Sequence, residues 1–136
     1  MKDCLFCSII SKREAAHILY EDDYVCCFLD KYPICKGHTL VVPKNHYVEF
    51  SDVDEESLSK VIQSAQRLAQ ALESLLNTDG ITIMQNNGLF KSVDHYHMHV
   101  IPRFEGDGFS WIEPKNIVTE EEFIALSRNV KNIINN

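Results

Sequence analysis

No run of apolar residues approaches the ~18–20 that a membrane-spanning helix needs, so a membrane partner is not expected. The opening Met1-Lys2-Asp3-Cys4-Leu5-Phe6-Cys7 lacks an apolar core and a small-residue cleavage site, so it does not read as a signal peptide. Positive charge is also short: 13 Lys and Arg face 20 Asp and Glu, a net charge of −7. That balance argues against a domain-wide basic face, and nucleic acid is not an expected partner. An anionic ligand must then be held locally, by backbone N–H groups and a few side chains. The chain has no internal repeat, no low-complexity tract and no linker. It lacks a disulfide framework too. Its five cysteines are an odd number, and Cys26, Cys27 and Cys35 follow no disulfide spacing. This suits a reducing compartment and predicts a cytoplasmic location.

What is present is enough for one domain. A chain of 136 residues buries roughly two-thirds of its unfolded surface on folding. Apolar residues make up 45% and charged residues 24%, a balance for a packed core rather than a disordered chain. Val25 to Leu29 and Leu40-Val41-Val42 read as buried strands, the second stopped by Pro43, with a turn at Lys31-Tyr32-Pro33. From about Asp54 to Leu76, apolar residues recur at spacings of three and four, which predicts a long helix. Asp52 with Glu55 resembles its capping box, and Asp79-Gly80 lies past its end. Ile81 to Met84 and Tyr96 to Pro102 predict two further strands, and His17 to Tyr20 a short extra one. Thr119 with Glu122 caps a last helix, striped by Phe123, Leu126, Val130, Ile133 and Ile134. Strands, a long helix, strands and a helix make an α+β domain with a mainly antiparallel sheet. The long helix between strands is alternatively a crossover.

The chemistry concentrates at His95-Tyr96-His97-Met98-His99. Histidines alternate with Tyr96, Met98 and Val100, so an extended backbone sets three imidazoles on one face and the apolar side chains on the other. Neutral imidazole is a nucleophile, a proton shuttle and a metal ligand near neutral pH. Three together fit phosphoryl chemistry, in which one attacks and its neighbours donate hydrogen bonds to non-bridging oxygens or the leaving group. A catalytic zinc held by the three rings is the rival, and an exposed polar face is the plain alternative. The tight Cys4-x-x-Cys7 pair offers zinc a separate home, with His46 and His95 as candidate completing ligands. A redox pair, or two partly buried small residues, are its other readings.

Three blocks carry a family resemblance: Gly37-His38-Thr39-Leu40-Val41-Val42-Pro43-Lys44-x-His46, then Asn86-x-Gly88, then Ser92-Val93-x-His95-x-His97-x-His99-Val100-Ile101-Pro102-Arg103. Their order and spacing resemble the histidine triad (HIT) family over about residues 4–104, with 105–136 as a C-terminal extension of a single domain, 1–136. With His99 rather than Gln at the third position, the chain resembles the Hint branch more than the branch of dinucleoside polyphosphate hydrolases. The resemblance implies a HIT-like fold, with a five-stranded antiparallel sheet, a long central helix, a C-terminal helix and a homodimer. It also implies a site for a purine nucleoside monophosphate or its conjugates, such as nucleoside phosphoramidates. His97 sits at the position of the nucleophile that attacks the α-phosphorus and forms a nucleotidyl-histidine. His99 aligns with the residue on the α-phosphate and leaving group, and His38 with a residue supporting the triad, which completes the catalytic set. Asp30 matches the carboxylate on the ribose hydroxyls. Phe6, Ile9 and Phe28 match positions around the base, and Asn86 and Ser92 positions of the phosphate loop. Cys4, Cys7, His46 and His95 match a structural Zn²⁺ site. Phe90-Lys91 stands where the family usually has Gly-Gln, so Lys91 is either a point charge for phosphate or a solvated side chain. A dinucleoside polyphosphate hydrolase, or a nucleotide-binding protein with weak catalysis, is the alternative this departure leaves open. Trp111 is either a packing residue or a closure over the site, often from the partner subunit in this family.

Overall fold

The computed structural model describes residues 3–136. Its elements are α1 (Leu5–Ile10), β1 (Ile18–Glu21), β2 (Val25–Leu29), β3 (Thr39–Pro43), α2 (Glu55–Leu76), β4 (Gly80–Met84), β5 (Met98–Arg103) and α3 (Glu120–Ile134). The five strands form one sheet in the order β1-β2-β3-β5-β4, every neighbouring pair antiparallel. β3 and β4 both flank β5, so they run parallel to each other. α2 is the crossover between them, and both expectations for the sheet hold at once.

Period-two alternation sorts the sheet into two faces. Val25, Cys27, Val41, Tyr96 and Val100 pack beneath Val61, Ala65, Leu68 and Leu72 of α2. Cys26, Phe28, Leu40 and Val42 face the other way and are covered by Phe6 and Ile9 of α1. β3 is covered on both faces, which is why all of its residues are buried. No helix is long and apolar enough to cross a membrane among the described residues.

The long helix spans the residues expected, but its N-cap differs from the sequence reading. Asp54, not Asp52, caps α2: its Oδ1 accepts the Ser57 N–H at 2.7 Å. Asp52 lies in the preceding short 3-10 turn, Phe50–Asp52. The helix ends at Asn77, in the left-handed region with φ 50°, while Gly80 opens β4. The second capping box forms as expected. Thr119 Oγ1 accepts the Glu122 N–H, and the Glu122 carboxylate accepts the Thr119 N–H.

Gly37 adopts φ +92°, and a Cβ there would stand 2.8 Å from Leu76 Cδ1 and 3.1 Å from Pro102 Cγ. The β2–β3 turn therefore tucks tightly against the end of α2, which seats His38. At the same end of the sheet, Arg103 grips both carboxylate oxygens of Asp107 at 2.7 and 3.1 Å. It also donates to Thr82 Oγ1 and the Phe109 carbonyl. This knot fixes where the C-terminal segment leaves the sheet. Beyond it α3 buries no residue, and its apolar stripe is open to solvent. Trp111 is also exposed, edge-on to Phe109.

Candidate functional site

The ordered ladder of β5 starts at Met98, two residues later than its sequence pattern predicts. The cause lies in the partner strand. Val41 pairs with Met98, but the strand then reaches Pro43, which has no N–H to donate. The Pro43 carbonyl instead accepts the His95 ring Nε2–H at 2.8 Å, and the Tyr96 N–H turns to the Tyr47 carbonyl. His97 and His99 nevertheless lie side by side, their ring centroids 5.0 Å apart. Tyr96 and Val100 are buried on the opposite face.

Backbone partners assign the protons of these rings, because a carbonyl only accepts and an N–H only donates. His95 Nε2 carries the hydrogen it gives to Pro43, so its Nδ1 bears a lone pair. His97 Nδ1 donates to the His95 carbonyl at 2.6 Å, so its Nε2 is bare. His38 Nδ1 accepts the Ile34 N–H at 3.0 Å, and His38 Nε2 lies 2.9 Å from His99 Nδ1. Phe6 packs edge-on against His97 at 5.1 Å and against Phe28 at 5.4 Å, closing an apolar wall beside the triad. Ile9 is buried in the same cluster. Asp30 follows β2, half-buried. Its Oδ1 accepts the Tyr32 N–H, and its Oδ2 stands 3.5 Å from His38 Nε2.

Burial pushes the His99 imidazole down to about 4. It lowers His97 as well, against the raising pull of the His95 carbonyl and Asp30. His99 thus has a folded-state value below its unfolded value of about 6.5. Between the two, the unfolded chain binds more protons. Stability from this group is therefore full above about pH 6.5 and falls as pH drops toward about 4, by about 3 kcal/mol in all. Urea midpoints measured across that window should fall, and His99→Asn should flatten the slope. Equal slopes for both proteins would contradict this.

A second cluster adjoins the first. One ligand atom from each of Cys4, Cys7, His46 and His95 lies within 4.8 Å of the others. Cys4 Sγ is 3.4 Å from His95 Nδ1, Cys7 Sγ 3.6 Å from the same nitrogen, and Cys7 Sγ 3.3 Å from His46 Nδ1. Tetrahedral zinc with Zn–S of ~2.3 Å and Zn–N of ~2.0–2.1 Å requires S···N separations of about 3.6 Å. The donor set and its spacing therefore fit zinc. The Pro43 carbonyl on His95 Nε2 is the kind of outer hydrogen bond that orients a metal-binding histidine.

The segment joining β4 to His95 holds Asn86, half-buried, and Ser92, exposed. Lys91 is neither a free charge nor solvated. Its Nζ donates to Glu49 Oε1 at 2.7 Å and to the Gly88 carbonyl at 3.1 Å, and its side chain is only 10% exposed. Glu49 also accepts the Gly88 N–H, so the pair clamps the short turn Gly88–Phe90 and leaves Leu89 and Phe90 outside. Glu49, the Pro43 carbonyl and the Ile34 N–H are parts of the site that sequence reasoning missed. Two are backbone atoms with no side-chain signature, and Glu49 is 42 residues from Lys91.

The HIT domain model matches residues 11–106. A HIT-like protein of Methanocaldococcus jannaschii is 42% identical over 122 residues, which cover 87% of this chain and 94% of that one. A Zn-bound histidine triad family protein from Mycobacterium smegmatis is similar in structure, with a TM-score of 0.76 and 34% identity over 98% of this chain and 97% of that one. A histidine triad nucleotide-binding protein from Candida albicans gives a TM-score of 0.87 at 27% identity, over 97% of each chain.

Proposed function

The chain belongs to the HIT domain family, and on that footing we propose that it is a nucleotide hydrolase acting at the α-phosphorus of nucleoside phosphoramidates or related conjugates. The observation that carries this reading is the state of His97. Its Nδ1–H is held by the His95 carbonyl, which leaves the Nε2 lone pair as an oriented nucleophile beside His99. The Nε2 lone pair forms an N–P bond while the bond from phosphorus to the leaving group breaks, and water then hydrolyses the nucleotidyl-histidine. His99 contacts the α-phosphate or leaving group. Asp30 accepts the ribose hydroxyls, and Phe6, Ile9 and Phe28 wall a purine. Asn86 and Ser92 face the phosphate, whereas Lys91 serves as a loop clamp, its charge already matched by Glu49. Loss of phosphoramidate hydrolysis in His97→Ala, with nucleotide binding retained, is the test.

Zinc in the Cys4, Cys7, His46, His95 site has a structural role in this reading. A catalytic metal on all three triad rings fits the geometry less well. Their Nδ1 atoms face three different partners: the cysteines, the His95 carbonyl and His38. No two of the five cysteines are joined in a disulfide, and the setting this reading gives the enzyme is cytoplasmic.

The active form is a homodimer built on the β4 edge and α2. β4 ends the sheet, and beside it Ile62 and Ile83 stay exposed on a groove with Ala69 and Ile81. Light scattering should give twice the chain mass, and Ile62→Glu combined with Ile83→Lys should halve it. A wild-type monomer at micromolar concentration would refute the dimer.

A further inference from the structure

The triad leaves one question of chemistry open: which nitrogen of His99 carries its proton. A neutral imidazole has one N–H, and a ring turned the wrong way presents a lone pair, which repels phosphate oxygens. The answer begins outside the triad, in the turn between β2 and β3. This turn is held by its own backbone. The His38 N–H donates to the Cys35 carbonyl at 3.0 Å, and the Asp30 N–H donates to the His38 carbonyl at 2.9 Å. It directs the Ile34 N–H at His38 Nδ1, 3.0 Å away. A backbone amide cannot accept, so His38 Nδ1 is the acceptor and its proton sits on Nε2. That Nε2–H lies 2.9 Å from His99 Nδ1 and 3.5 Å from Asp30 Oδ2, both able to accept. His38 is 2% exposed, so water does not compete. A proton on His99 Nδ1 would set two donors against each other at hydrogen-bond distance.

We infer that His38, locked by the Ile34 N–H, holds His99 in its Nε2–H tautomer and so acts as the positioning residue that makes His99 a fixed hydrogen-bond donor toward the α-phosphate. This rests on the nucleotide-hydrolase reading for its last step alone. The chain of donors starts at a main-chain atom, so it survives any side-chain change in the turn that keeps the backbone in place. Preorganised donors of this kind act on the transition state more than on ground-state binding.

The test uses the full-length metal-loaded protein labelled with ¹⁵N-histidine. Long-range ¹H–¹⁵N spectra should show His99 protonated on Nε2 and bare on Nδ1. In His38→Leu the His99 tautomer should redistribute. Against an adenosine 5′-phosphoramidate, kcat should fall about tenfold or more, with KM changed less than about twofold. His38→Gln, whose amide nitrogen reaches the place of Nε2, should restore the tautomer and most of kcat. Protonation of His99 on Nδ1 in the wild type overturns the inference, and this holds even if the leucine variant does not fold. An unchanged tautomer and kcat in a folded leucine variant also overturn it. If the wild type hydrolyses no nucleotide conjugate, the functional reading fails, while the spectra still decide the positioning of His99.

Discussion

His97→Ala is expected to lower hydrolysis of an adenosine 5′-phosphoramidate by at least about a thousandfold, the scale on which loss of a covalent nucleophile is felt. The fold should survive. The removed ring is bordered by Phe6 and His99, while the large core under α2 is on the opposite face of the sheet. Affinity for adenosine monophosphate should stay within a few-fold, because Asp30 and the apolar wall of Phe6 and Phe28 are untouched. Metal content separates this account from catalysis by a zinc on the triad. His97 is not among the four clustered ligands, so the variant should keep the full metal content of the wild type. Parallel loss of activity and metal would favour the rival.

Stripping the zinc proposed for the Cys4, Cys7, His46, His95 site is expected to have the second large effect. With the free ion ~1,000-fold above its dissociation constant, a bound ion contributes about 4 kcal/mol to stability. A domain of this size shifts by about 3–5 °C per kcal/mol, so chelation, or Cys4→Ser with Cys7→Ser, should lower Tm by roughly 10–20 °C. The consequence reaches the proposed nucleotide site. Cys4 caps α1, accepting the Cys7 N–H on Sγ, and α1 carries Phe6 against His97. Loss of the metal loosens the anchor of that helix, so KM for the nucleotide conjugate should rise together with the fall in Tm. Scanning calorimetry with metal analysis on the same sample measures it. A metal-free protein with an unchanged Tm would contradict the structural role.

Much of the fold was legible because burial leaves local patterns. Val25 to Leu29 and the run before Pro43 are apolar throughout because both faces of the sheet are covered there. The spacing in α2 is legible because only one side of that helix meets the sheet. The boundaries that moved depend on partners instead. β5 loses its first residues to a proline across the ladder, and the α2 cap moved because Asp52 is in a short turn of its own. The stripe on α3 is real, but the isolated chain offers it no surface. At the site, the alternation of His95, His97 and His99 places the rings. Their proton positions follow from Pro43, His95 and Ile34 backbone atoms, which only tertiary structure brings into reach. The clamp on Lys91 was hidden for the same reason, since nothing near Lys91 in the chain points to Glu49.

The most direct measurement is rapid acid-free quenching of the protein during turnover of an adenosine phosphoramidate, followed by intact-mass analysis and peptide mapping. The account predicts a single adenylyl group on the peptide containing His97, absent from His97→Ala. Turnover without any protein adduct, or an adduct on another side chain, would contradict it.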